Sequence, residues 1–116
     1  MFFMENRRQA SRLLRDEDVR VKIISAPAQP ELIGSGIESE TIDVSATGLR
    51  LLLEVALAVG SRLELLVMVG EQGREYRLVG DVVWRRETES AGVYLVGIKL
   101  LSAKGFELES WCTLFG

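Results

Sequence analysis

The stretch Ser39-Glu40-Thr41-Ile42-Asp43-Val44-Ser45-Ala46-Thr47-Gly48-Leu49-Arg50-Leu51-Leu52-Leu53 holds two strand-like runs, 39–44 and 49–53, on either side of a polar turn. The second run is apolar enough to be a strand buried on most sides. Asp43 and Ser45 carry short polar side chains that can hydrogen-bond the backbone of a tight turn. Gly48 is expected to take a left-handed backbone conformation there, because it has no Cβ to oppose it.

The same punctuation continues outward in both directions. Upstream, Val19-Arg20-Val21-Lys22-Ile23 alternates apolar and charged residues, as a half-buried strand does. It ends at Ala26-Pro27-Ala28-Gln29-Pro30, and the loop continues through Gly34 and Gly36 to a strand over 37–44. Downstream, strands are predicted over 63–69, 76–86 and 93–101, with a hairpin connection at Gly70-Glu71-Gln72-Gly73. Gly80 falls inside the long fifth strand and is expected to mark a bend or bulge. After Ser102, the residues Phe106, Leu108, Trp111, Leu114 and Phe115 recur at roughly helical spacing, so the chain should close with a short amphipathic helix anchored by Trp111. Six short strands and one helix predict an all-β fold, a six-stranded antiparallel barrel with a short C-terminal α-helix over one open end or edge.

With 116 residues the chain can bury one core, not two. Hydrophobic residues at 47% and charged ones at 27% are ordinary for a globular domain, and a net charge of −3 argues against a general DNA or RNA binder. The charge is uneven, however. Arg7, Arg8, Arg12 and Arg15 face Glu5 alone before the acidic cluster Asp16-Glu17-Asp18, so residues 1–18 are read as an arginine-bearing arm and 19–116 as the barrel with its helix. The arm is expected to be loosely structured until an anion bridges its arginines.

Histidine is absent, which removes imidazole ligands and the usual general base. Cys112 is the sole cysteine, so neither an internal disulfide nor a thiolate zinc site can form. It is read as a small buried hydrophobe. No carboxylate pair stands out, and catalysis is not expected. No apolar run reaches membrane-spanning length, and Met1-Phe2-Phe3-Met4 is too short for a signal-peptide core. A cytoplasmic location is expected. Trp84 reads as core or barrel rim, and Arg85 with Arg86 as a solvated strand end.

The arm and the turn together have a chemistry. An arginine fork matches phosphate oxygens or the O6/N7 edge of guanine, and a carboxylate accepts from guanine's Watson–Crick N–H donors. Arg8-Gln9-Ala10-Ser11-Arg12, an R-x-x-x-R element, precedes the first strand, and Asp43-Val44-Ser45-Ala46-Thr47-Gly48, a D-x-S-x-x-G element, joins the second to the third. Gly80-Asp81-Val82-Val83-Trp84 and Val96-Gly97-Ile98 follow in order. With these pieces the chain resembles the PilZ domain, a bacterial receptor module for cyclic di-GMP, over nearly its whole length.

The resemblance implies that Arg8 and Arg12 take the phosphates and Hoogsteen edges of cyclic di-GMP. Asp43 would read the guanine N–H donors, and Ser45 with the backbone at Gly48 would complete the pocket. In the family an arginine just before R-x-x-x-R goes with two stacked ligand molecules, so Arg7 implies two per chain. A downstream protein partner is also implied. The rival readings are a PilZ-like adaptor that does not bind nucleotide, and a small barrel for single-stranded nucleic acid; few aromatics on an acidic chain oppose the latter.

Overall fold

The computed structural model describes residues 13–14 and 17–115. Strand β1 (Leu13–Leu14) is followed by β2 (Asp18–Ser25), β3 (Gly36–Val44), β4 (Gly48–Leu53), β5 (Arg62–Val69), β6 (Arg74–Glu87) and β7 (Tyr94–Leu101). Helix α1 (Leu108–Cys112) then runs into a single 3₁₀ turn, Thr113–Phe115. All pairings are antiparallel, in the order β3-β2-β5-β6-β7-β4, and β4 pairs back onto β3. Strands β2 to β7 therefore form a closed six-stranded barrel with one short C-terminal helix, as the sequence predicted. Closure satisfies the strand edges that an open sheet would leave exposed.

Alternation makes the barrel. Val19, Val21 and Ile23 of β2, Leu63, Leu65 and Val67 of β5, and Leu49, Leu51 and Leu53 of β4 all point inward and are buried. Each such side chain contributes about 1.5–3 kcal/mol by leaving water. Truncating one of them, for example Leu65→Ala, should cost about 2–5 kcal/mol because the packed interior closes only partly around the gap. Trp111 is the largest side chain to join this core and is fully buried. Its ring meets Tyr76 edge-on, with centroids 5.6 Å apart, and Phe115 at 5.4 Å. Cys112, expected to be buried, is only half-buried, and its Sγ lies 3.6 Å from the Ala46 carbonyl oxygen.

Two local expectations change. Leu13–Leu14, inside the stretch read as an arm, pairs with Val44 and Asp43, because β3 extends beyond the end of β2 and offers its backbone there. Gly80 is not the bend. Its missing Cβ would meet Ile98 Cγ2 at 2.6 Å and the Lys99 carbonyl at 2.8 Å, so glycine serves close strand packing, while the register slips between Val82 and Trp84. The hairpin at 70–73 does rely on left-handed glycines, with φ of 81° at Gly70 and 68° at Gly73. Among the described residues no helix is long and apolar enough to cross a membrane.

Candidate functional site

The turn between β3 and β4 is organised around one hydroxyl. Ser45 Oγ accepts from the Gly48 N–H at 3.2 Å and the Thr47 N–H at 3.3 Å, and donates to the Gly48 carbonyl at 3.1 Å. The Ser45 N–H also donates to the Gly48 carbonyl, at 2.8 Å. From below, the Trp111 indole N–H donates to the Ser45 carbonyl at 2.8 Å, although the two residues are 66 positions apart. Ser45 is wholly buried. Its side chain serves the turn itself.

Gly48 does not take the expected left-handed conformation. It is the first residue of β4, paired with Lys99, and is absent from the glycines with positive φ. A Cβ at this position would sit 2.5 Å from the Ile98 carbonyl oxygen. Glycine is required because β4 and β7 approach one another too closely for any side chain.

Register then brings four residues into one row across the barrel wall. Asp43 of β3 pairs with Arg50 of β4, Arg50 with Gly97 of β7, and Gly97 with Trp84 of β6. Arg50 Nε donates to Asp43 Oδ2 at 2.9 Å, and Nη2 donates to the same oxygen. The Asp43 side chain is 1% exposed and that of Arg50 33%, so the arginine is the part of the pair that meets solvent. The hydrogen bond to Asp43 holds the Arg50 guanidinium above its ordinary pKa, against the opposing effect of burial, and the carboxylate's charge adds to this. Next along the row, Gly97 forms a floor beneath Trp84: a Cβ there would meet the indole at 2.2 Å. The Arg86 guanidinium lies 5.3 Å from the Trp84 ring centre, and that of Arg85 lies 5.5 Å from the ring of Tyr94. Both arginines are exposed, as expected of a solvated strand end, and their guanidinium groups also lie over aromatic rings.

A shallow depression of about 510 Å³ follows the row, lined by Thr47, Gly48, Arg50, Trp84, Gly97 and Lys99. Two cations and an indole that lies flat on Gly97 make a surface suited to a planar, anionic, hydrogen-bonding ligand. No group of residues able to hold a metal ion occurs among the described residues.

Of the residues singled out in the sequence, Asp43, Ser45 and Gly48 come together in this turn. Arg7, Arg8 and Arg12 lie outside the described residues. Arg50, Trp84, Gly97 and Lys99 were not anticipated as site residues. Arg50 carried a signal nonetheless, as the only charge in an otherwise aliphatic strand.

The family model described as PilZ domain matches residues 6–107 of the chain. No curated protein sequence matches it. Among solved structures, the chain is similar to the Bacillus subtilis inhibitor of motility MotI/DgrA at 15% identity and a TM-score of 0.69, covering 94% of this chain and 49% of that one. The chain thus spans about half the length of that protein. It is also similar to the PilZ domain of YcgR from Escherichia coli, described with c-di-GMP, at 17% identity and a TM-score of 0.63, covering 94% of this chain and 88% of that one.

Proposed function

Because this chain belongs to the PilZ domain family, we propose that it is a non-enzymatic receptor for cyclic di-GMP acting in the bacterial cytoplasm. The observation that carries this reading is the placement of β1. Leu13 and Leu14 pair with Val44 and Asp43 at the mouth of the 43–48 turn, and Arg12 immediately precedes Leu13 in the sequence. In the sequence the R-x-x-x-R element thus ends one residue before the strand that pairs with the D-x-S-x-x-G segment, which supports a site shared by the two. The YcgR domain of similar fold, described with c-di-GMP, supports the choice of ligand.

Arg8 and Arg12 take phosphate oxygens and the guanine O6/N7 edge. Asp43 takes guanine N–H donors by exchanging its contact with Arg50, and the released guanidinium turns to the base, which stacks on the outer side of Trp84. Ser45 and Gly48 hold the turn in the shape that permits this. Arg7 offsets the crowded phosphates of two stacked ligand molecules, giving two per chain. Binding draws the arm against the barrel, and a downstream protein reads that change.

The burial of Asp43 behind Arg50 favours a second reading, an adaptor whose turn is permanently closed. Calorimetry separates the two. A receptor binds cyclic di-GMP and binds cyclic di-AMP at least tens of times more weakly, since each bidentate base contact discriminates by about 1–3 kcal/mol. An adaptor shows no heat with either. Native mass spectrometry gives the stoichiometry: two ligands on the unaltered chain and one on Arg7→Leu.

A further inference from the structure

The two flat sides of the Trp84 indole meet different neighbours. Trp84 pairs with Gly97 across the β6–β7 ladder, and the ring lies so close to that glycine that a Cβ there would fall 2.2 Å from it. The inward side is therefore closed by backbone. Arg86, two residues further along β6 and paired with Leu95, projects from the same outer side of the sheet. Its guanidinium lies over the indole, 5.3 Å from the ring centre. Because Gly97 closes the inward side, the arginine covers the outward one. Among the described residues the indole is the only group that holds Arg86, whose side chain is exposed. Arg85 is fixed differently. Alternation turns it the other way, its Nη1 donates to the Leu57 carbonyl at 3.2 Å, and its guanidinium lies over Tyr94.

A base that stacks on the outer side of Trp84 and the Arg86 guanidinium thus claim one surface. We propose that Arg86 is a movable cap on Trp84, which gives way to a guanine and then closes over it, so that the base is held between indole and guanidinium. The step rests on the nucleotide reading above and adds a binding residue to it. Both flanking groups are flat, and a guanidinium plane stacks on a base as an aromatic ring does. Two stacked contacts of about 3.5 Å each need about 7 Å between the flanking groups, so the guanidinium retreats by about 2 Å. A long, exposed side chain held only by the ring makes that movement without disturbing β6. Arg86 then exchanges one cation–π contact for another, and the base gains a second stacking partner. Lysine at this position would supply the charge but no plane.

The test is calorimetry with cyclic di-GMP on the unaltered full chain, Arg86→Ala, Arg86→Lys and Arg85→Ala, with tryptophan emission followed in parallel titrations. Arg86→Ala should bind about fivefold more weakly, the loss of one stacked guanidinium. Arg86→Lys should recover little of that loss, and Arg85→Ala should bind as the unaltered chain does. At saturation Trp84 should be quenched as fully in Arg86→Ala as in the unaltered chain, because the base still meets the indole. That result separates a lost cap from a damaged site. Unchanged or tighter binding by Arg86→Ala would overturn the proposal, the latter by making Arg86 a mere competitor for the ring. Full recovery in Arg86→Lys would reduce the residue to a point charge, and an equal loss in Arg85→Ala would make the effect one of general charge; either also overturns it. No heat with the unaltered chain would remove the nucleotide reading as a whole, whereas heat with unchanged affinity in Arg86→Ala removes the cap alone.

Discussion

The turn at 45–48 and the turn at 70–73 each join neighbouring antiparallel strands, and each contains glycine, yet they are built on opposite principles. At 70–73 the glycines have positive φ and open space around them: an added Cβ would meet nothing within 4 Å. Shape there is a matter of local backbone preference. At 45–48 the glycine is extended and has no space at all, with Ile98 oxygen where a Cβ would go. The Ser45 hydroxyl braces that turn from within, and the Trp111 indole braces it from beneath. One turn is a reversal of the chain, and the other is a fixed platform tied to β7 and α1. A polar site needs the second kind, since groups must be held in place before a ligand arrives.

Gly48→Ala should break the contrast most severely. A carbonyl of the neighbouring strand cannot move aside cheaply, so a loss of about 3 kcal/mol is expected, seen as a lowered denaturant midpoint. A neutral result would mean that β4 and β7 separate easily and that the platform is not rigid. Arg8→Ala and Arg12→Ala should leave the denaturant midpoint nearly unchanged while weakening cyclic di-GMP binding by about 1.5–3 kcal/mol each, by calorimetry. Unfolding with retained affinity would make the arm structural instead.

Trp111→Phe tests the brace from beneath. It keeps an aromatic ring but removes the only indole N–H near the Ser45 carbonyl, and about 2 kcal/mol should be lost, together with faster hydrogen exchange at the turn amides of Thr47 and Gly48. Gly73→Ala is the smallest change, about 1 kcal/mol, for forcing a Cβ into a left-handed position that has room for it. It should leave ligand binding untouched. If Gly73→Ala cost more than Gly48→Ala, the distinction between the two turns would fail.

Much of this was legible in the sequence because alternation has a period that only a strand satisfies. Val19-Arg20-Val21-Lys22-Ile23 gave β2 to within two residues at either end, and the spacing of Phe106, Leu108 and Trp111 gave the helix. The reasons for the glycines were not legible. Gly48 and Gly80 are fixed by contacts with Ile98 and Lys99, which are about fifty and about twenty residues away, and a local rule defaults to turn or bulge. The Asp43–Arg50 pair lay closer to hand. Once Val44 pairs with Leu49 across a four-residue turn, the next pair outward must be Asp43 with Arg50. What hid it was treating the carboxylate as a ligand group before asking which cation its own hairpin placed opposite. The row as far as Trp84 needed the slip in register at Val83, which no alternation announces.

The two tryptophans divide between the interior and the outer wall. Trp111 is sealed in the interior with its N–H bonded to the turn, so its emission should be blue-shifted and should report whether platform and helix remain joined. Trp84 lies on the outer wall beside Arg50 and Arg86, where a base entering the depression would meet its ring, and its emission should redden in water and quench on stacking. Titration with nucleotide should dim the red component alone, while unfolding should shift the blue one. The chain therefore carries two native chromophores, one for occupancy and one for integrity, separable by wavelength without any label.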